Sequence, residues 1–302
     1  MKPNQLRAFV EVTRQMSIRG AARALGLTPP AVTKIVRELE REVGADLVER
    51  SVKGVRLTPA GAALAPRARL LLEDIRRARE EIAQINSGET GSVAVAVTTA
   101  FALTVLPGAF KTFHARYPGV EVLLNESFLS SMLSSLLDGK LDFAVAHVIP
   151  GRLDARFEHV DLFPVRLVVA ARRRHPLRHS RSIQDLQEGE WVVPGVRTLD
   201  QDALTELFSA AIAMAPPARV ITVESFNIAV ALVREMNLIG LFTESLVQSE
   251  LKRHGIVPIE VAEALCPFQV SIVRRRGQPL TPAAQRFVEC IRQAAAAVES
   301  TP

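Results

Sequence analysis

Hydrophobic and polar positions at the start of the chain alternate with the period of an α-helix. Five apolar residues predict a first amphipathic helix: Leu6, Phe9, Val10, Val12 and Met16. Ser17 is a suitable N-cap for a second helix, Ile18–Leu25, and Gly26 lies in the turn that follows it. A third helix is predicted over 29–44, with Thr28 as its cap and Pro29 at its first position.

The third helix has two different faces. Its apolar residues are expected in a core: Val32, Ile35, Val36 and Leu39. Its opposite face offers hydroxyl and cationic groups to base edges and phosphates: Pro30, Thr33, Lys34 and Arg37. Two helices joined by a tight turn are typical of DNA-binding proteins that place the second helix in the major groove. On these residues alone, a three-helix bundle with a solvated polar face is an equal alternative.

The net charge of the chain is concentrated in the same region. The formal net charge is +5, and residues 1–58 hold eleven Lys and Arg against six Asp and Glu. The remaining residues hold equal numbers of basic and acidic groups, so the whole excess lies at the start of the chain. Such an excess favours a polyanionic partner through phosphate neutralisation, although charge alone does not identify that partner.

Residues 45–61 predict a short β-hairpin, or wing, beside the third helix. Lys53 and Gly54 form its turn, and Arg50, Lys53 and Arg56 project from it. With this hairpin the chain resembles the LysR family of transcriptional regulators. The matching positions are Phe9, Ser17, Ala21, Ala22, Leu25, Thr28, Pro29, Pro30, Ala31, Val32, Thr33, Ile35, Leu39, Glu40, Gly44, Leu47, Arg50, Leu57, Thr58, Pro59, Ala60 and Gly61.

Two positions depart from the family pattern. Position 29 is Pro where the family usually has Gln, which leaves base recognition at that point open, and position 48 is Val where it usually has Phe. The resemblance implies a winged helix-turn-helix domain over 1–58 that binds double-stranded DNA. The predicted DNA contacts are Ser17, Arg19, Thr28, Pro29, Pro30, Thr33, Lys34, Arg37, Arg50, Lys53 and Arg56.

A long linker helix is predicted over 59–85. Apolar residues recur along it at alternating intervals of about four and three, as in a coiled coil: Leu64, Ala68, Leu71, Ile75, Ala78 and Ile82. Pairing with a second chain covers this stripe and gives a two-fold dimer for a pseudo-palindromic operator. The alternative is that the stripe packs on the C-terminal region of its own chain. The resemblance implies dimerisation, as a homodimer or a dimer of dimers (a homotetramer), and residues 86–92 form a polar hinge.

From residue 93 onward, apolar strands alternate with helical patterns, which predicts an α/β fold with largely parallel strands. Helices are expected at about 103–114, 130–137, 200–211, 225–235, 244–254 and 282–297. The resemblance implies a periplasmic-binding-protein-like effector domain over 93–302 with two subdomains, about 93–164 with 266–302 and about 165–265. The chain is expected to cross between them near 163–165 and again near 265–267.

Ligands of open α/β sheets lie beyond the carboxyl ends of the strands, so the loops there are candidate effector contacts. Hydroxyl groups in these loops can orient a carboxylate or sulfonate, and Phe side chains can cover an apolar body. For each hydroxyl a simple N-cap is the alternative, and for each Phe a core position. The candidates are Thr98, Thr99, Ala100, Phe101, Glu126, Phe128, His147, Gly195, Thr198, Glu224, Ser225, Phe226 and Thr243. A small organic anion is the expected effector, although Glu126 and Glu224 also fit a polar or cationic compound.

Other function classes find little support in the sequence. The two cysteines, Cys266 and Cys290, have no spacing typical of zinc sites, and no cofactor is predicted. Motifs of nucleotide-binding loops, zinc proteases and serine hydrolases are absent, so no enzyme is predicted. No signal sequence or membrane span is found, and a cytoplasmic protein is expected. The remaining alternative is an α/β enzyme or solute-binding protein with a helical N-terminal appendage.

Overall fold

The computed structural model describes residues 1–51, 54–87, 91–194, 205, 208–209, 211–212, 215–266 and 268–299. The chain forms two compact units. The first comprises Met1–Gly88 with Leu137–Lys140, and the second comprises Glu89–Leu136 with Leu141–Pro302. Among the described residues, no helix is both long enough and apolar enough to cross a lipid bilayer.

The first unit begins with the three expected helices, α1 (Pro3–Gln15), α2 (Ile18–Leu25) and α3 (Pro29–Val43). The Ser17 hydroxyl oxygen accepts the Gly20 N–H at 3.2 Å, which confirms its capping role. Met16 was expected on the apolar face of α1, and this was wrong. It is exposed, and its left-handed backbone, with φ of 48°, ends the helix.

Thr28 is the N-cap residue of α3, but its side chain makes no capping hydrogen bond, so that part of the prediction was wrong. The reason lies in the first turn of the helix. Pro30, at the second helical position, has no N–H group, which removes one of the two donors that an N-cap side chain commonly bonds.

The predicted wing is confirmed as an antiparallel pair, β1 (Val48–Ser51) and β2 (Gly54–Leu57), in which Val48 faces Leu57. The Oε1 atom of Glu40 on α3 accepts the N–H groups of Leu47 at 2.9 Å and Val48 at 3.2 Å, so α3 itself positions the hairpin. The core beneath includes large side chains with no exposed area, namely Phe9, Val12, Val32, Leu39 and Leu47.

The linker helix α4 (Pro59–Ser87) is present as expected, but only part of its apolar stripe is exposed. Ala68 was assigned to the dimer seam, yet it is 0% exposed because it packs in the core of its own unit with Phe9 and Leu47. Leu64 packs partly against the same cluster. Further along, Leu71 is 42% and Ile82 60% exposed, Ala78 is exposed, and Ile75 is half-buried. The stripe that a second chain can reach therefore begins at Leu71.

The second unit contains two five-stranded mixed sheets. The strands of the first sheet, in spatial order, are β4 (Val120–Glu126), β3 (Gly91–Val97), β5 (Phe143–Val148), β12 (Phe268–Arg275) and β6 (Phe157–Val165). Those of the second sheet are β11 (Ile256–Pro258), β7 (Leu167–Arg172), β10 (Leu238–Thr243), β8 (Glu190–Pro194) and β9 (Val220–Val223).

The helices around these sheets are α5 (Thr99–Thr104), α6 (Leu106–Arg116), α7 (Leu129–Leu137), α8 (Phe226–Glu235), α9 (Glu244–Ser249) and α10 (Pro282–Glu299). The helix expected over 103–114 is instead two helices that meet at Val105. The helix expected over 244–254 is interrupted after α9 and ends in a 3₁₀ turn, Leu251–His254. Another 3₁₀ turn lies at Gln184–Leu186. Most of the helix expected over 200–211 lies outside the described residues.

The expectation of largely parallel strands was wrong in part. Each sheet has two parallel and two antiparallel pairings, for example β3 with β5 parallel and β12 with β5 antiparallel. The chain crosses from the first sheet to the second at Arg166, between β6 and β7, and returns between Pro258 and Phe268. Because β12 enters the first sheet from the second one, it runs against β5 and β6.

Candidate DNA-binding surface and ligand cavity

A groove of about 1450 Å³ runs along α3 of the first unit, between the start of α2 and the wing. Seven of the predicted DNA contacts line it: Ser17, Arg19, Pro29, Pro30, Thr33, Lys34 and Arg37. Thr28 and Arg56 are exposed but are not among the residues of its lining. Lys53 and the side chain of Arg50 lie outside the described part of the structure. Further residues that were not predicted from the sequence also line this groove: Ile18, Glu40, Arg41, Gly44, Ala45, Asp46, Gly54 and Val55.

The groove has an excess of exposed positive charge. Arg19, Lys34, Arg37 and Arg41 are exposed side chains of its lining. Of the acidic residues that line it, Glu40 is bound to the backbone of the wing. Guanidinium and ammonium groups arranged along a groove match the phosphates and base edges of a nucleic acid duplex.

The second unit contains a cavity of about 420 Å³ between its two sheets. Residues from both sheets contribute, for example His147 on β5 and Thr243 at the end of β10. Seven of the predicted effector contacts line it: Thr98, Thr99, Ala100, Phe128, His147, Phe226 and Thr243. The volume is typical of pockets for small organic molecules.

Three polar atoms in the cavity wall are buried and have no hydrogen-bond partner: Thr98 Oγ1, His147 Nε2 and Thr243 Oγ1. Thr98 and Thr243 are the N-cap residues of α5 and α9, but neither side chain makes a capping bond. The capping hydrogen bond expected under the N-cap alternative is therefore missing at Thr98. Buried polar atoms without a partner carry a desolvation cost, so a ligand that bonds them recovers free energy.

Other predicted effector residues lie elsewhere. Phe101 belongs to the core beneath the first sheet and is 1% exposed, because helix α5 turns it inward. The Glu126 carboxylate is outside the cavity lining and accepts the Thr99 hydroxyl at 2.5 Å. Ser225 is also outside the lining; its hydroxyl oxygen accepts the Ile228 N–H at 3.4 Å as the N-cap of α8. Glu224 is exposed and absent from the lining, and Gly195 and Thr198 lie outside the described residues.

The apolar wall of the cavity was not predicted from the sequence, and neither was Arg152, the charged residue among the described lining. Arg152 lies shortly after β5, so its position beyond a strand end was a usable signal. The apolar residues that were missed are Leu129, Leu133, Val148, Ile149, Leu153, Leu167, Val193, Leu241, Phe242, Leu246 and Phe268, and the polar one is Ser130.

Burial lowers the pKa of His147 to about 4, so its imidazole is neutral near pH 7. In the unfolded chain the ordinary pKa is near 6.5, so between about pH 6.5 and pH 4 the unfolded state binds more protons. We expect the stability of the second unit to fall by about 3 kcal/mol as the pH drops through this window. Urea titrations at several pH values should show a smaller loss in His147→Gln, whereas the exposed-site variant His179→Gln should follow the wild type. If the stability of all three proteins depended equally on pH, this would contradict the lowered pKa of His147.

No three His, Cys, Asp or Glu residues of the described ranges lie close enough together to hold a metal ion. Cys290 is buried and Cys266 exposed, and both are free thiols.

Two family models match the two parts of the chain. A model described as the bacterial regulatory helix-turn-helix protein of the lysR family matches residues 3–62. The LysR substrate binding domain matches residues 86–296, which is more than half of the chain. The chain belongs to the LysR family of transcriptional regulators. The family predicted from the residues of the first helices and the wing is thereby confirmed.

The regulator is similar to several named proteins. GbpR of Rhizobium radiobacter is 30% identical over 255 residues, which cover 81% of the regulator and 82% of GbpR. TdcA of Escherichia coli K12 is 32% identical over 194 residues, which cover 64% of the regulator and only 62% of TdcA. The structure of full-length CbnR with its target DNA is 24% identical, with a TM-score of 0.66, and the match covers 97% of the regulator and 100% of CbnR. The likeness to CbnR concerns the fold.

Proposed function

We propose that the regulator binds double-stranded DNA through α2, α3 and the wing, and that a small organic anion in the cavity controls this binding. The cationic groove along α3 is the observation that carries the first part. The CbnR complex supports it, because that protein has the same fold and was crystallised with its target DNA. Because the proposed target is DNA, we propose a cytoplasmic location for the regulator, and we assign no catalytic role to the cavity.

The proposed contacts divide by chemistry. Lys34 and Arg37 on the exposed face of α3 meet base edges or nearby phosphates. We assign the contacts with the phosphate backbone to the other predicted hydroxyl and cationic residues: Ser17, Arg19, Thr28, Arg50, Lys53 and Arg56. Within this proposal, residues 1–58 form the DNA-binding domain, 59–85 the linker helix, 86–92 the hinge and 93–302 the effector domain.

Arg37→Ala tests the orientation of α3. If Arg37 contacts a base, the substitution should cost about 1–3 kcal/mol of binding free energy and change the preferred sequence. If it contacts a phosphate, the affinity for all DNA sequences should fall by the same factor. The slope of log K against the logarithm of the salt concentration should then decrease in magnitude by about one. Binding isotherms over a salt series separate the two outcomes. Arg14→Ala, on α1 and paired with Glu11 at 2.7 Å, is the control; unchanged binding in Arg37→Ala would show that another face meets DNA.

We further propose that the regulator dimerises through α4, from Leu71 to Ile82, where the apolar stripe is exposed. A two-fold dimer presents two α3 helices to two half-sites of a pseudo-palindromic operator. Pairing of two such dimers gives the tetramer.

The cavity wall supports an anionic effector with an apolar body. Its described polar groups are hydroxyls, a neutral imidazole and the Arg152 guanidinium, while the carboxylate of Glu126 lies outside. Arg152 and the two unpartnered threonine hydroxyls suit a carboxylate or sulfonate. The many Phe, Leu, Val and Ile side chains suit an aliphatic or aromatic body rather than a second charge. An effector controls DNA binding only if its affinity differs between two states of the regulator.

A thermal-shift screen of organic acids, aromatic sulfonates and amines tests this proposal, because binding to the folded state raises the melting temperature. We expect at least one acid or sulfonate to stabilise the wild type and the matching amines to have no effect. Thr98→Val with Thr243→Val keeps the shape of the wall but removes two hydroxyls, and it should weaken binding of that acid about tenfold or more. Thr112→Val, on α6 outside the cavity, is the control. Stabilisation by amines alone would contradict an anionic effector.

A further inference from the structure

Basic side chains are concentrated at one end of the second sheet. Strand β7 begins directly after the crossover at Arg166 and ends at Arg172, so its far end carries the loop that begins at Arg173. The turn before β11 lies against this loop, because the Arg173 N–H donates to the Gly255 carbonyl oxygen at 3.0 Å. Six residues of the strand end, the loop and the turn form what we call the basic patch: Arg172, Arg173, Arg174, Arg178, Lys252 and Arg253.

The basic patch has a large excess of positive charge. Two nearby carboxylates are already paired: Glu250 with Arg253 at 3.5 Å, and Glu235 with an arginine outside the patch at 2.8 Å. The Arg172 guanidinium donates to the side-chain oxygen of Asn237, which is a neutral acceptor. Within the ranges that the structure describes, no carboxylate pairs with the other four members: Arg173, Arg174, Arg178 and Lys252. Residues 59–302 hold equal numbers of basic and acidic groups, so this excess is local.

The loop of the basic patch is held by its own hydrogen bonds. The imidazole Nδ1 of the buried His175 accepts the Leu177 N–H at 3.0 Å. The His175 N–H in turn donates to the Arg172 carbonyl oxygen at 2.9 Å. The charged side chains around this buried ring are exposed: Arg173, Arg174, Arg178, Lys252 and Arg253. The backbone that carries these cations is therefore fixed before a partner binds, which lowers the entropy cost of binding.

The chemistry of the basic patch fits phosphate groups. Guanidinium groups bind phosphate oxygens through two parallel hydrogen bonds, and all members of the patch except Lys252 are arginines. Protein interfaces, in contrast, have centres that are rich in aromatic side chains and depleted of charge. The segments 172–179 and 250–255 contain no Phe, Tyr or Trp, so they lack such a centre. A DNA duplex, with one phosphate charge about every 1.7 Å along its axis, is the matching polyanion.

We propose that the basic patch is a second DNA-binding surface, which binds the phosphate backbone of the duplex that flanks the operator without reading its sequence. This inference rests on the proposed DNA binding through α3 and adds to it a contact from the effector domain. Each phosphate that the patch neutralises releases counterions and raises the affinity. Bending of the flanking duplex towards the patch costs elastic free energy, which several phosphate contacts can offset.

The test compares two lengths of DNA around the same operator. The full-length protein first selects an operator sequence from a random library. A short duplex then contains the operator alone, and a long duplex adds on each side about 30 base pairs of unrelated sequence, roughly 100 Å of helix axis. We expect the wild type to bind the long duplex at least tenfold more tightly in the presence of non-specific competitor. The long duplex should also give the steeper fall of log K with the logarithm of the salt concentration.

A triple variant assigns this difference to the basic patch. Arg173→Gln with Arg174→Gln and Lys252→Gln should lower the affinity for the long duplex at least tenfold. It should also reduce the magnitude of the salt slope by about two to three, and it should leave the short duplex unaffected. The control is a second triple variant that removes the same charge from exposed positions on α6 and α10: Lys111→Gln, Arg116→Gln and Arg292→Gln. Urea unfolding followed by Trp191 fluorescence shows whether both variants keep the fold of the second unit.

The outcomes separate this inference from the function on which it rests. If the wild type selects no sequence, sequence-specific DNA binding itself fails, and the inference fails with it. If an operator is selected but the long and the short duplex bind equally tightly, the inference alone is overturned. Equal losses in the two triple variants also overturn it, because total charge and not the basic patch then determines the affinity. An unchanged affinity of the patch variant for the long duplex overturns it too and leaves an acidic protein surface as the partner of the patch.

Discussion

Replacing Gly61 by alanine is expected to lower the free energy of unfolding of the first unit by about 3 kcal/mol. A Cβ atom at position 61 would lie 1.9 Å from the carbonyl oxygen of Leu47, far inside contact distance. That carbonyl cannot move easily, since Leu47 is fully buried, its N–H is bonded to Glu40, and its oxygen accepts the Thr58 N–H. The substitution therefore forces the start of α4 away from the wing and should weaken DNA binding as well.

Urea unfolding followed by two probes measures this effect. Far-UV circular dichroism reports on both units, whereas the single tryptophan, Trp191, lies in the second unit and should show an unchanged transition. Gly108→Ala is the matched control, because a Cβ at position 108 in α6 meets no heavy atom within 4 Å. Equal stability of the first unit in Gly61→Ala and wild type would contradict the packing described for this junction.

Leu71→Arg is expected to convert the regulator into a monomer. Leu71 is the first exposed residue of the stripe on α4, and a dimer would bring a cation from each chain into an apolar seam at a large desolvation cost. Sedimentation or light scattering should show the monomer mass. Affinity for a duplex with two half-sites should fall about a hundredfold, since linked binding of two sites is lost.

Ala62→Arg is the control for Leu71→Arg. Ala62 is also exposed on α4, but it lies on the side of the helix away from the stripe, and the substitution adds the same charge. It should remain dimeric. A dimeric Leu71→Arg protein with unchanged operator affinity would show that α4 does not form the dimer seam.

The first unit could be predicted in detail because its signals are local. The Ser17 cap, the glycine turn and the helical spacing each act within a few residues, and the helices begin and end close to the predicted positions. The coiled-coil pattern of α4 identified the apolar face but not what covers it. Periodicity is the same whether Ala68 packs on its own domain or on a second chain, so only the folded core distinguishes the two.

Local sequence patterns predicted less of the structure of the second unit. Strand β6 was missed because it contains Glu158, His159, Asp161 and Pro164, which break any apolar alternation. It lies at the edge of its sheet, where exposed polar residues and proline are tolerated. Strand direction was also misjudged, since an alternating pattern does not tell which strands cross between the sheets.

The ligand cavity was predicted in outline only. Residues at the ends of strands, such as Thr98 directly after β3 and His147 near the end of β5, were found because strand ends converge at one edge of a sheet. Phe101 follows the same strand as Thr98, but one turn of helix places it in the core. Most of the apolar wall, including Leu241 and Phe268, comes from within or next to strands of both sheets, and no local pattern marks it.

The most direct test of the regulator assignment is a mobility-shift titration of the full-length protein on DNA that flanks its own gene. The titration should be repeated over a salt series in the presence of non-specific competitor. We predict a sequence-specific complex at low salt. Its log K should fall steeply and linearly with the logarithm of the salt concentration, because Lys and Arg side chains displace counterions from phosphates. The absence of any sequence-specific complex at low salt would contradict the account.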